Sequence, residues 1–229
     1  MSLIKNYWLT RLDWSRWWTV LACVVLLPWA LAATDLDKTQ SLAQERYGSA
    51  AAETVAAWRR LINEGAHLSE PDKLARVNDF FNQRILFESD MTIWQQNDYW
   101  ATPLETMGRG AGDCEDFSIA KYTTLLLMGV PNERLRLIYV RARIGGASST
   151  KSEAHMVLGY YQQPTDEPQV LDNLIGSIRP ASSRPDLTPV FSFNSSGLWA
   201  SGTTAPLGDP TVRLSRWRDV LERMRKDGL

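Results

Sequence analysis

Apolar residues recur at intervals of three and four through the first half of this 229-residue chain, a spacing typical of amphipathic helices. One such stretch runs from Thr39 to Ile62, and Gly48 is a candidate break within it. Ser69 is a candidate N-cap for the next helix, which should end near Arg84. We therefore predict a helical N-terminal part.

Turn-forming residues fill the segment 97–112, which ends in three glycines within five residues. This composition predicts a loop that delivers the following element into a cleft, since glycine lets a backbone or a ligand approach closely. Trp100 could wall that cleft or pack in the core. From Asp113 the sequence is densely apolar, and Gly129 supplies a stop, so a central buried helix is predicted.

The second half of the chain changes to the alternating pattern of strands. Turn formers at 163–168 separate the last two candidate strands and predict an antiparallel hairpin. Segment 182–208 is rich in Ser, Pro, Thr and Gly, which predicts loops, and the apolar positions of 213–226 predict a terminal helix docked on the domain. The whole pattern predicts an α+β fold, with strands at 135–143, 155–162 and 169–174.

The predicted hairpin brings two polar residues together. If its turn is centred between Gln163 and Pro164, His155 lies directly opposite Asp172 on one face of the sheet. A carboxylate can then bind one imidazole nitrogen and orient the other. The alternative is that His155 begins a strand that faces solvent and Asp172 merely ends one.

The N-terminus has the features of a secretory signal sequence. Basic residues precede an apolar stretch at 17–31, and a small-x-small motif predicts cleavage after Ala32. Residues 33–229 would then form a single exported domain with no stable membrane insertion. An uncleaved anchor is the alternative, but the stretch contains Pro28 and is shorter than the roughly 20 residues that span a bilayer.

The charge balance argues against nucleic-acid binding. The chain has 25 Lys and Arg and 26 Asp and Glu, a net charge of −1. The segment before residue 33 has a net charge of +2, so the rest of the chain has −3. Such a surface has no basic footprint for a polyanion.

Cysteine is scarce in the predicted mature chain. Cys23 leaves with the signal sequence, so Cys114 remains, together with His67 and His155. A lone thiol in an exported protein is buried filler, a dimerising thiol or a nucleophile. Cys114 begins the predicted central helix, where the helix dipole favours a thiolate. His67 precedes a helix and is expected to be a solvated turn residue.

Three carboxylates surround that cysteine, at Asp113, Glu115 and Asp116. A like charge at 5 Å costs about 3 kcal/mol at an effective dielectric constant of 20, so these groups would oppose a thiolate. Ca²⁺, which prefers oxygen ligands, would neutralise them. The alternative is a helix cap, with Asp113 as N-cap and the other two favourably placed on the dipole. Both can hold together.

Four motifs, taken in order, resemble the bacterial transglutaminase-like cysteine proteinases, in particular the periplasmic LapG-type enzymes. Each motif is weak alone, but their order and spacing are specific. They are Asp98-Tyr99-Trp100-Ala101-Thr102-Pro103, Gly112-Asp113-Cys114-Glu115-Asp116, Ala154-His155-Met156-Val157-Leu158 and Val170-Leu171-Asp172-Asn173-Leu174.

The resemblance implies a papain-like α+β fold, a triad of Cys114, His155 and Asp172, and a dependence on calcium held by Asp113 and Glu115. It also implies a periplasmic endopeptidase that cuts a large surface adhesin near its N-terminal region at a di-alanine site, so that the adhesin is released and the biofilm disperses. The implied partner is the periplasmic domain of an inner-membrane cyclic-di-GMP receptor.

Two other functions use the same residues. A transglutaminase-like acyl transferase would pass the acyl group to an amine rather than to water. A calcium-dependent binding module would leave the thiol idle.

Overall fold

Helices form the first part of the chain in a computed structural model that describes residues 34–145 and 149–229. Helix α1 (Leu36–Tyr47) and helix α2 (Ser49–Gly65) are separated by Gly48, which has φ 89°. Helix α3 (Glu70–Arg84) begins after Ser69, whose side chain accepts the N–H of Asp72. The predicted helices and the break at Gly48 are confirmed.

The predicted signal sequence, its cleavage after Ala32 and Cys23 lie outside the described residues. Thr34–Leu229 forms one compact unit. Within the described ranges, no helix is both long enough and apolar enough to cross a membrane.

The prediction of a loop through 97–112 is wrong in its second half. After strand β1 (Leu86–Phe87) and helix α4 (Asp90–Trp94), Pro103–Arg109 forms helix α5. Thr102 and Glu105 make a reciprocal capping box at its start, and Gly110 ends it with φ 64°. Strand β2 (Ala111–Gly112) then pairs in parallel with β1. The chain therefore reaches Cys114 from short regular elements.

Six strands form an antiparallel sheet in the order β6-β5-β4-β3-β7-β8. Two of them lie in segment 182–208, so the prediction of loops there is wrong. The register between β7 and β3 shifts next to Pro189, which marks a β-bulge. Proline has no backbone N–H to donate, and a bulge is one of the places where a sheet tolerates it. The bounds are β3 (Leu135–Arg143), β4 (Ser152–Tyr160), β5 (Gln169–Leu171), β6 (Arg179–Pro180), β7 (Leu187–Phe193) and β8 (Leu198–Ala200).

Helix α6 (Cys114–Leu127) is the centre of the molecule. Eleven of its fourteen residues are buried, so it is covered on nearly all sides. It packs on β4 and β3 and on α3 and α5. The main core lies on this side of the sheet, and a smaller apolar cluster lies separately. The predicted central buried helix and the α+β class are confirmed.

The C-terminal segment forms α7 (Pro210–Arg213) and α8 (Ser215–Asp227). Trp217, Val220 and Met224 of α8 are buried in the main core. Asp227, at the end of α8, accepts hydrogen bonds from Arg46 and Thr102. The predicted terminal helix is therefore docked on the domain, as expected.

Candidate active site

Cys114 is the first residue of α6, and Asp113 alone separates it from the end of β2. Asp113 caps the helix by accepting the N–H of Glu115 at 3.2 Å, and Asp116 accepts the N–H of Asp113 at 3.2 Å. At Gly112 a Cβ atom would lie 2.8 Å from the Cβ of Asp116, so glycine is needed for this close turn. The predicted helix cap is confirmed, and it fixes the position of Cys114 at the start of α6.

The first turn of α6 lies along an edge of β4 that no strand occupies. Pairing of β4 with β5 begins only at Leu158, opposite Leu171. Beside the unpaired part, Ser118 Oγ donates to the carbonyl of Met156 at 3.0 Å. The backbone N–H of Met156 lies near enough to the Cys114 sulfur to offset part of the rise in the pKa of the thiol. The thiol therefore lies next to the residue that follows His155.

His155 and Asp172 meet as predicted, although in a different register. The ladder pairs Gly159 with Val170, which centres the turn one residue later than predicted and offsets the register by two. A shift of two residues keeps each side chain on its face. His155 Nε2 and Asp172 Oδ1 are 2.8 Å apart, both residues being buried. The predicted direct opposition is wrong, because Asp172 lies just beyond the end of β5.

Arg184 holds the other oxygen of Asp172. Its Nη2 donates to Oδ2 at 2.7 Å and also to Asp186 at 2.8 Å. Burial raises the pKa of Asp172, but hydrogen bonds from His155, the N–H of Leu174 and Arg184 outweigh it and lower the pKa to about 2. Asp172 is thus an anion. Sequence reasoning missed Arg184, since an arginine in a segment expected to be a loop carries no signal of its target.

The surroundings of the Cys114 thiol oppose its ionisation. Burial raises its pKa, and the negative charges of Glu115 and Asp113 raise it further. The thiol donates to Glu115 Oε2 at 2.7 Å. These effects oppose the helix dipole, which on its own favours a thiolate. Because Asp172 binds Nε2 of His155, Nδ1 is the nitrogen left to serve the sulfur.

A fourth carboxylate, Asp90, joins the group that sequence analysis identified. Candidate ligand atoms of Asp90, Asp113 and Asp116 lie within 4.8 Å of one another, and so do those of Asp113, Cys114 and Glu115. Burial is the main cause that raises the pKa of Asp113 to about 10, with Glu115, Asp116 and Asp90 adding to it. The cluster has more negative charge than its surroundings stabilise.

This cluster fits a divalent cation. Asp90 is 5% exposed, and its Oδ1 is buried without a hydrogen-bond partner among the described residues. Its Oδ2 accepts the N–H of Tyr99. Asp116 is bound by two backbone N–H groups, of Ala101 at 2.7 Å and of Asp113. An unsatisfied carboxylate oxygen is the donor that Ca²⁺ prefers. No sequence pattern links Asp90 to positions more than twenty residues later.

The two remaining candidates from the sequence are Trp100 and His67. Trp100 is 7% exposed and stacks on Phe193 with ring centroids 5.7 Å apart, so the structure places it in the core. Only its small exposed fraction could reach a cleft. His67 is exposed in the turn after α2, as expected.

A cysteine at the N-terminus of a buried helix, beside a histidine–aspartate pair on an antiparallel sheet, is the arrangement of papain-like and transglutaminase-like enzymes. A family model described as bacterial transglutaminase-like cysteine proteinase BTLCP matches residues 52–186. The match covers more than half of the chain. The chain therefore belongs to the bacterial transglutaminase-like cysteine proteinases, and it is a cysteine protease.

Solved structures agree with this assignment. EGTA-treated LapG of Legionella pneumophila is 40% identical, with a TM-score of 0.72 over 83% of this chain and 97% of that one. Calcium-bound LapG of the same organism is also 40% identical, with a TM-score of 0.70 over 83% of this chain and 99% of that one. A comparison with curated proteins gives no match.

Replacing Arg184 by methionine tests how Asp172 is held. A pKa below the ordinary 3.8 means that the carboxylate's contribution to stability is present above about pH 4 and is lost as pH falls towards 2. Arg184→Met removes one partner of a buried ion pair, which should cost about 3 kcal/mol at neutral pH. It should also raise the pKa of Asp172, so acid unfolding should begin at a higher pH. Urea unfolding at several pH values measures both effects.

Arg179→Met is the matched control, because Arg179 is exposed and its side chain bonds only Ser177 among the described residues. It should leave both quantities near those of the unmodified protein. Equal behaviour of the two variants would contradict the role given to Arg184.

Proposed function

We propose that this protein is a calcium-dependent periplasmic endopeptidase that uses Cys114, His155 and Asp172 to cut a large surface adhesin near its N-terminal region at a di-alanine site. Release of the adhesin would promote biofilm dispersal. The observation that carries the proposal is the 2.8 Å bond from His155 to Asp172 beside the strand edge where the Cys114 thiol lies. The likeness to LapG supports the substrate class.

The reaction follows from the positions of these groups. His155 Nδ1 takes the thiol proton as the Cys114 sulfur attacks a peptide carbonyl carbon, and it gives that proton to the departing amine when the peptide bond breaks. Water then loses a proton to the same nitrogen and attacks the acyl-enzyme, and the sulfur leaves as a thiol. Asp172 stabilises the imidazolium in both halves. The Cys114 N–H, in the first turn of α6, can bind the developing oxyanion.

Asp90, Asp113, Glu115 and Asp116 are the residues that would hold calcium. When bound, the ion would neutralise the carboxylates that oppose a Cys114 thiolate. The fold itself places these carboxylates together. Strand β1 pairs with β2, so Asp90, at the start of α4, lies next to the residues that precede the nucleophile. That the related LapG has calcium-bound and EGTA-treated structures supports this assignment.

Control by a cyclic-di-GMP receptor of the inner membrane completes the proposal. Its periplasmic domain would bind this protein and keep it from the adhesin. Periplasmic residence requires the predicted signal sequence before residue 33, whose basic and apolar regions support export.

Cleavage of an adhesin fragment is the direct test of the reaction. The protein is incubated with a fragment that contains the di-alanine site, with calcium or with EGTA, and intact masses are measured. We expect two peptides whose masses sum to the fragment plus one water, with calcium only. Cys114→Ala should abolish cleavage and remain folded. Ammonia release with cross-linked products would instead identify an acyl transferase, and cleavage by Cys114→Ala would reject the nucleophile.

Calcium binding is tested by replacing Asp90 with asparagine. The change removes a charge at nearly constant volume, so calcium affinity should fall by at least about 10-fold. Because it also relieves repulsion with Asp113 and Asp116, it should stabilise the calcium-free protein. Titration calorimetry and thermal unfolding, both in the Cys114→Ala background, measure these opposite effects. Asp79→Asn, at an exposed site on α3, is the control. Unchanged affinity of Asp90→Asn would exclude Asp90 from the site.

A further inference from the structure

Lys121 is a buried lysine in the middle of α6, two turns beyond the nucleophile. It is 1% exposed and has no ion pair with a carboxylate among the described residues. We propose that Lys121 is a positioning residue, which fixes the backbone of Asp172 so that its carboxylate meets His155. The proposal rests on the proposed function, because it assigns Asp172 to the triad.

The contacts of Lys121 point to Asp172 rather than to solvent. Its Nζ donates to the backbone carbonyl of Asp172 at 3.1 Å and to Asn78 Oδ1 at 2.9 Å. Asn82 Nδ2 donates to the same Asp172 carbonyl at 2.8 Å. Asn78 Nδ2 in turn donates to the carbonyl of Gly176 at 2.6 Å. Side chains of α3 and α6 thus hold the segment from Asp172 to Gly176.

The sheet does not hold Asp172. Strand β5 ends at Leu171, and the ladder to β4 ends with it. The backbone of Asp172 must therefore be fixed by other groups, and Lys121 and Asn82 are the donors that reach its carbonyl. The carboxylate is directed separately, by His155, Arg184 and the N–H of Leu174. Lys121 acts on the main chain that carries this carboxylate.

Burial of the Lys121 ammonium group costs free energy. A positioning role explains its presence in the core better than packing does. Burial lowers its pKa to about 7, while the negative charge of Asp172 partly opposes the shift. A hydrophobic side chain of similar length would fill the same space without desolvating an ammonium group. What it could not supply is a donor to the Asp172 carbonyl.

Lys73 offers a matched control within the same core. It is also buried, at 7% exposed, and its Nζ donates to a backbone carbonyl, that of Met128, at 2.7 Å. Met128 lies at the opposite end of α6 from Cys114. Removing Lys73 therefore reproduces the loss of a buried lysine–carbonyl bond without touching the triad.

The test compares Lys121→Met, Lys121→Gln and Lys73→Met. Displacing a catalytic group by about 1 Å can cost about 100-fold in rate. We expect kcat of Lys121→Met on the adhesin fragment to fall by roughly that factor, with KM little changed. Glutamine keeps an N–H donor on a shorter chain and should restore part of kcat. Lys73→Met should lose stability but keep kcat.

A second readout does not depend on turnover. The Nε2 proton of His155, observed by NMR in the resting protein, should shift in Lys121→Met because its bond to Asp172 changes, and it should stay in place in Lys73→Met. If Lys121→Met is too unstable, the same comparison is made with Lys121→Gln.

The outcomes separate this inference from the proposed function. Lys121 variants with unchanged kcat and an unchanged His155 proton would overturn the positioning role, even if the unmodified protein cleaves the adhesin. If the unmodified protein fails to cleave, the proposed function falls, and the NMR comparison still decides whether Lys121 controls the His155–Asp172 bond.

Discussion

The docking of the first turn of α6 on the unpaired edge of β4 is the contact on which the rest of the site depends. Ser118 Oγ binds the Met156 carbonyl that a neighbouring strand would otherwise use, and the Cys114 sulfur lies near the N–H of the same residue. Because β5 joins β4 only from Leu158 onward, the same gap leaves Asp172 free to turn towards His155. One interruption of the sheet thus leaves room both for the start of α6 and for the contact between His155 and Asp172.

Charge around the nucleophile is arranged in two opposed ways. The carboxylate of Asp172 accepts hydrogen bonds from His155, Arg184 and the N–H of Leu174, which together keep its pKa low. Burial raises the pKa of the Cys114 thiol, and the negative charges of Glu115 and Asp113 raise it further. The surroundings of Asp172 thus favour its negative charge, while those of the Cys114 thiol oppose one. A divalent cation on the acidic cluster would reduce that opposition, which is the physical basis of the calcium dependence proposed above.

Sequence patterns predicted the elements well where a single periodicity dominated, as in α3, α6 and β3. They failed where tertiary contacts decided: α5 depends on a capping box, and β7 contains Pro189 and needs a bulge to pair. The His155–Asp172 contact could be predicted because a register error of two residues preserves the face. The roles of Asp90, Arg184 and Lys121 could not be predicted, since each contacts a partner that only the fold brings near.

The convergence of Cys114 and His155 can be measured with 1,3-dibromoacetone, whose two electrophilic carbons bridge a thiol and an imidazole only when they are within a few ångströms. The protein is treated with one equivalent, in calcium, and digested for peptide mass mapping. We predict a three-carbon bridge from the Cys114 sulfur to His155 Nδ1, with loss of both bromides. Alkylation of Cys114 alone, or a bridge to another residue, would contradict it.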